Sequence, residues 1–556
     1  MSRTPLLRAL KRLFMDAHSM SRTGVPLSGL AEMRHDALHE ATRSGSAITR
    51  RGVVGALGAG ALSAALPRVA SAAPAKTQPT IVIVGAGIAG LTCALKLADR
   101  GLSSTVYEAS GRIGGRMFTN TTTWAEGQTS EWCGELIDSG HKTLLGLAKR
   151  FGLPLVDLHA AEPVGSEDTY KFFGSYYKQS SADADFLASV ASRVATDARE
   201  AGYPTRYDAF TEAGAILNSM SVYAWIESRV PGGHTSPLGQ LLDLAYATEY
   251  GADTRDQSAL NLVYLLGYQP DNRRLSVFGE SDEAYRIQGG NQRVPSAIAS
   301  QLQNVVFGHA LSRLIKRSDG RYALTFARAG SSLEVVADHV VLALPFAVLR
   351  SVDTSRAGFD ALKNEAIQTL GAGHNGKTQL QFKTRFWNQR GAWPGVSNGA
   401  SYADTGYQSS WDATRGQAGK SGILVFYSAG SVTDALRSRQ AYATSSDAGV
   451  AEDVRQTLLR AAPVFPGVDS AFNGRATESV PHYSPFFKCS YSYYRVGQYT
   501  QFCGYEGRTQ GNVLFCGEHT SQDFQGFMEG GASEGKRAAR ELAHTITGQY
   551  SSLDEL

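Results

Sequence analysis

Gly85-Ala86-Gly87-Ile88-Ala89-Gly90 has the spacing that lets a backbone turn tightly and approach a pyrophosphate. With 59 glycines in 556 residues, about 0.65 matches to GxGxxG are expected by chance, so context decides. A second match, Gly371 to Gly376, follows a helical pattern from Ala361 to Leu370 and precedes a strand. That is the reverse of the required order, and the match is set aside. The first match has the right neighbours. The β-branched run Ile81 to Val84 predicts a strand before it, and Leu91 to Ala98 reads as a helix after it. A pyrophosphate would sit at that helix N-terminus, where unpaired N–H groups and the dipole favour an anion. A second strand, Ser104 to Tyr107, ends in Glu108. Its carboxylate is placed to accept hydrogen bonds from ribose hydroxyls and to repel a 2′-phosphate, which disfavours NADP.

A chain of 556 residues exceeds one ordinary core, so two or more domains must position these groups. The net charge of +3 is nearly balanced and no Lys/Arg stripe appears, which argues against a nucleic-acid surface. The five cysteines, Cys93, Cys133, Cys489, Cys503 and Cys516, lack zinc-type spacing, and no metal site is expected. Free buried thiols are preferred over a Cys503–Cys516 pair.

Arg50-Arg51 precede a small-residue apolar run from Val53 to Leu66 and a small-residue cleavage site near Val69 to Ala73. The run is too short for a stable membrane span, so residues 1–75 read as an N-terminal extension and signal of the twin-arginine type. The expected location is outside the cytoplasm, periplasmic or secreted. An ordinary Sec signal or anchor is the alternative, and translation from Met33 is left open. The last residues, 549–556, read as a tail.

Glu108 is followed by Ala109-Ser110-Gly111-Arg112-Ile113-Gly114-Gly115-Arg116. This run resembles the flavin amine oxidase family, which includes monoamine, polyamine and L-amino acid oxidases. Three later segments resemble the family in order: Tyr285 to Gln292, Val340 to Pro345, and Asn512 to Glu518 followed by Gly526 to Ala532. The resemblance implies an α/β fold with a discontinuous Rossmann-like FAD-binding domain (78–145, 278–348 and 486–548) and an inserted α+β substrate-binding domain (146–277 and 349–485). Leu144, Leu147 and Ala148 show helical periodicity that suits the first insert. The cofactor contacts it implies are Gly85, Gly87, Ile88, Ala89, Gly90, Glu108, Ala109, Arg112, Gly114, Gly115, Arg116, Leu311, Gly517, Glu518, Gly526, Phe527 and Met528. Arg112 and Arg116 would neutralise the pyrophosphate, and the Met528 amide would bond the flavin pyrimidine oxygen.

By the same resemblance Lys377 lies on a strand facing flavin N5 and orders a water used when reduced flavin meets oxygen. Tyr491 and Phe527 would stand on either side of the substrate nitrogen. Ser490 occupies the position that carries a flavin-linking Cys in some members, with Cys489 displaced by one, so the FAD is expected to be noncovalent. The implied activity is oxidation of a carbon–nitrogen bond of an amine or L-amino acid, with O2 as acceptor. Leu136 stands where an arginine clamps the carboxylate in venom-type amino acid oxidases, although Arg495 could substitute. Asp138 sits where polyamine oxidases place an acid, which points to a basic substrate such as a polyamine, arginine or lysine; a surface Asp138 is the competing reading, and Glu135 is a further candidate substrate residue. Other classes on this fold are a desaturase or oxidase of an apolar substrate and a noncatalytic flavin-binding module. A homodimer is left open.

Overall fold

The computed structural model describes residues 78–548. The Arg50-Arg51 signal and the terminal tail lie outside them.

A five-stranded parallel sheet runs in the order Val513–Phe515, His339–Leu342, Ile81–Val84, Thr105–Tyr107, Val305–Val306. Its strands come from three separated stretches of chain. Ile81 to Val84 are buried throughout, as a parallel strand covered on both faces requires. The glycine-loop helix, Ile88–Ala98, packs against the C-terminal helix, Met528–Thr547. Glycine makes that approach feasible: a Cβ on Gly535 would lie 2.2 Å from the Ala89 carbonyl oxygen, and one on Gly531 2.8 Å from Ile88. The two helices therefore meet backbone to backbone, which brings the N-terminus of the last helix beside the glycine loop.

The antiparallel strands Ala310–Lys316, Tyr322–Arg328 and Ser331–Ala337, with Asp353–Arg356 at one edge, form a smaller sheet. An eight-stranded sheet and the helices between Gln179 and Leu266 build the rest. In that sheet Asn375–Phe382 is buried at every residue and pairs antiparallel with Gly422–Ala429 on one side and Phe472–Ser479 on the other. The architecture is α/β, with a Rossmann-like part and an inserted α+β part.

One expectation is corrected. The helix Lys142–Arg150 does not pack with the insert; Leu144, Leu147 and Ala148 join the core around the glycine-loop helix. The cause is Glu529, whose carboxylate accepts the amides of Thr143 (2.9 Å) and Leu144 (2.7 Å) and caps this helix onto the last one. All five cysteines are free, four of them buried. Among the described residues no helix is long and apolar enough to cross a membrane.

Candidate active site

The three motif glycines occupy three different environments. Gly85 has φ +106°, and a Cβ there would lie 2.6 Å from the Ala343 carbonyl oxygen. Gly90 backs onto Gly85, whose carbonyl oxygen would be 2.0 Å from its Cβ. Gly87, the helix N-cap, faces open space, with nothing within 4 Å of a Cβ and no side-chain cap or first-turn acid competing for the amides of Ile88, Ala89 and Gly90. The open, donor-lined space over Gly87 fits a pyrophosphate. Gly114 and Gly115 close the loop from the other side: the Gly114 amide donates to the Ala86 carbonyl (2.8 Å), and a Cβ on Gly115 would lie 3.3 Å from the Gly87 Cα.

Glu108 sits at the end of the second strand. It accepts the amides of Ala86 (2.7 Å) and Ser110 (2.8 Å) and the Ser110 hydroxyl (2.7 Å). A carboxylate has about four lone-pair sites, so one remains for a ribose hydroxyl. Ala109 lies between these anchors. Leu311 follows closely on His309, whose amide donates to the Glu108 carbonyl (2.9 Å), at the same end of the sheet. Arg112 stacks its guanidinium 4.0 Å over Phe118.

Arg116 and Glu518 tie the far wall together. Arg116 Nη1 donates to the Ser490 carbonyl (2.7 Å) and to Glu518 (3.1 Å). Glu518 follows Gly517 and also accepts the Ser492 hydroxyl (2.8 Å) and the Gly526 amide (3.0 Å). Burial alone would raise its carboxyl, but Arg116 and the other donors outweigh it and hold the acid below its usual range. Thus one ionised carboxylate fixes both segments that carry the predicted aromatics. A Cβ on Gly526 would stand 3.8 Å from the Tyr491 ring. Phe527 caps the last helix immediately before Met528, whose amide opens the first turn with no side-chain cap above it. The Phe527 ring meets His141 edge-on at 5.3 Å and lines a cavity of about 30 Å³ with Tyr203, Tyr250 and Tyr499. That volume admits little more than water.

Lys377 is buried on the central strand. Its ammonium donates to Glu135 (2.8 Å) and to the Cys133 carbonyl (2.6 Å). Directly across the strand pair is Tyr427, whose hydroxyl meets that of Tyr491 at 3.0 Å. Tyr491 also donates to the Thr248 carbonyl (2.8 Å). The predicted lysine and first aromatic are therefore joined through Tyr427, which sequence reasoning missed. Trp411 completes the wall, with its ring 5.3 Å from the ammonium and its buried indole N–H lacking a partner among the described residues.

Three expectations about substrate residues change. Glu135 uses its carboxylate on Lys377. Asp138 is buried, not on the surface; it accepts the Glu283 amide (3.0 Å), and burial pushes its carboxyl up to about 6. Arg495 is exposed, with its guanidinium 5.8 Å from the Tyr493 ring, and cannot clamp a carboxylate in a buried site.

Two acids that the sequence reading did not single out lie here. Glu249 lies in the last turn of the helix Pro237–Tyr250, next to the Thr248 carbonyl that holds Tyr491. Glu283 has φ 45°, a left-handed backbone that costs a non-glycine residue roughly 1–3 kcal/mol and that clusters at functional sites. Desolvation, then Asp138, pushes the Glu283 carboxyl up to about 8. Desolvation, then Glu283 and Asp138, raises Glu249 well above its usual value. Among the described residues neither acid has an ion-pair partner.

A dinucleotide cradle, an aromatic wall and a buried lysine on a Rossmann-like fold define a flavoprotein oxidoreductase. Residues 88–543 match the family model of the flavin containing amine oxidoreductases. The chain belongs to that family, and its cofactor is FAD. It is 24% identical over 491 residues to polyamine oxidase 2 of Arabidopsis thaliana, covering 86% of this chain and 90% of the relative. It is 21% identical over 508 residues to the L-amino-acid oxidase of Sistrurus catenatus edwardsii, covering 83% and 86%. The structure of putrescine oxidase bound to putrescine superposes with a TM-score of 0.69 at 19% identity, covering 84% of this chain and 99% of that one.

Proposed function

We propose that this chain is an FAD-dependent oxidase of a basic amine. Bound FAD would accept a hydride from the carbon bearing the nitrogen and pass the two electrons to O2, giving H2O2, while water would hydrolyse the resulting imine to an aldehyde or keto acid plus ammonia or an amine. The observation that carries the basic-substrate reading is the pair of acids Glu249 and Glu283, neither with an ion-pair partner among the described residues: Glu249 is next to the Thr248 carbonyl that holds Tyr491, and Glu283 donates its amide to the Asp138 carboxylate. Desolvation and the neighbouring acids favour the protonated form of Glu249, and a cationic ligand within reach would favour its ionised form instead. Tyr491 and Phe527 exclude water and steer the neutral amine end of the substrate, while the acids take its distal charge. The Lys377 ammonium, fixed by Glu135, orders a water at the oxygen-reacting face.

The cofactor is held without a covalent bond in this reading. Ser490 turns its hydroxyl to the Asn375 side chain (2.5 Å), and the neighbouring Cys489 thiol is buried, faces the Phe487 carbonyl (3.4 Å) and is pushed up to about 11 by burial. Such a thiol is a poor nucleophile.

Peroxide release from a panel of diamines, polyamines, monoamines and the twenty amino acids tests the assignment. Diamines or polyamines should give the highest kcat/KM. Glu249→Gln and Glu283→Gln should each raise KM for the diamine by roughly tenfold to a hundredfold, since a hydrogen bond to a charged group is worth about 1.5–3 kcal/mol, and should spare monoamines. A preference for monoamines, or an unchanged diamine KM in both variants, overturns it.

A further inference from the structure

His374, Asp434 and His482 converge at one end of the eight-stranded sheet, outside the machinery described above. His374 precedes the strand Asn375–Phe382, Asp434 closes the short helix after Gly422–Ala429, and His482 lies in the turn after Phe472–Ser479. These are three adjacent antiparallel strands, so a strand start and two strand exits meet at the same edge. His374 Nδ1 is 2.8 Å from Asp434 Oδ1, and His482 Nε2 is 3.8 Å from the same oxygen. One ligand atom from each residue lies within 4.8 Å of the others. The two imidazoles stack with centroids 4.0 Å apart.

The backbone fixes where His374 and the helix carrying Asp434 sit. The His374 amide donates to the Gly251 carbonyl (2.7 Å), and the His374 carbonyl accepts the Gly430 amide at the head of the helix that carries Asp434 (2.9 Å). His482 is half-buried, with 7% of its side chain exposed, while Asp434 is 54% exposed, so the set has a walled side and an open side. His482 Nδ1 is buried and has no partner among the described residues. Arg439, beside His482, is turned to the Leu436 carbonyl (2.8 Å) and the Tyr483 hydroxyl.

We propose that His374, Asp434 and His482 bind a divalent transition cation of the zinc class, with water filling the open side. Two imidazoles and one carboxylate are the donor set such ions prefer, and three protein ligands leave a position free. The ion takes the place of the proton shared between His374 and Asp434. It also braces the active site, because Gly373, next to His374, donates its amide to the Tyr491 carbonyl (2.8 Å) and accepts the Ser490 amide (2.7 Å). The site does not depend on the substrate assignment.

Calorimetric titration of chelator-treated, untagged, FAD-loaded protein with zinc chloride tests it. One zinc per chain is expected, with a rise in Tm on binding. His374→Ala, His482→Ala and the exposed-site variant Asp434→Asn should each weaken binding at least about tenfold and abolish the Tm rise while retaining bound FAD. No zinc uptake by the wild-type protein, or unchanged affinity in the His374→Ala/His482→Ala double variant, overturns the proposal.

Discussion

Lys377 and Glu135 form a buried pair, so their single substitutions differ from their joint one. Lys377→Met leaves a carboxylate buried without its ammonium and should cost about 3–5 kcal/mol in denaturant unfolding, most of it recovered in Lys377→Met/Glu135→Gln. If the double variant is no more stable than the single one, the pair is not the cause. The same Lys377→Met change should slow reoxidation by O2 far more than anaerobic reduction by amine, by about a hundredfold for a loss of roughly 3 kcal/mol. Stopped-flow measurement separates the two, and slow reduction with normal reoxidation would assign Lys377 to substrate binding. Glu283 gives a pH signature. Its folded carboxyl, raised to about 8 by desolvation and Asp138, keeps a proton that the unfolded chain releases near its ordinary value of 4.5. That contribution is full below about pH 4.5 and lost as pH climbs to 8. Glu283→Gln should therefore gain stability relative to wild type over that window, and a constant Tm difference from pH 5 to 8 would contradict the assignment.

At the scale of elements, the glycine loop separates folding from cofactor binding. Gly87→Ala meets no neighbour and should leave the stability of the FAD-free protein nearly unchanged while weakening FAD binding at least about tenfold. Gly90→Ala drives a methyl into the Gly85 carbonyl and should abolish soluble expression. Equal FAD affinity in Gly87→Ala and wild type would remove the pyrophosphate from this loop. The strand–loop–helix order was readable in the sequence because it is local: β-branched strand, turn glycines and helix lie within a few residues. Helix 142–150 was assigned to the wrong neighbour because periodicity shows that Leu144, Leu147 and Ala148 face a core, not which core. Glu249 carried a faint signal, an acid in the last turn before Gly251, against the dipole. Glu283, Tyr427 and the Glu135–Lys377 pair carried none, since their meaning lies in contacts between distant segments.

For the whole molecule, the parallel sheet assembles only after its last strand, Val513–Phe515, is made, and the following segment supplies Glu518 and Met528. FAD loading therefore completes after nearly the whole chain is available. We propose the twin-arginine route, read from Arg50 and Arg51. Replacing both by Lys should retain active protein in the cytoplasm, and unchanged export would show another route. The central claim is that this fold holds FAD reducible by a basic amine, and anaerobic mixing with diamine while following flavin absorbance tests it most directly. The purified protein should be yellow, lose its visible flavin absorbance on mixing with a diamine or polyamine, recover it on admitting O2, and release FAD on heat denaturation. A flavin that no amine or amino acid reduces, or a purified chain without FAD, would contradict the account.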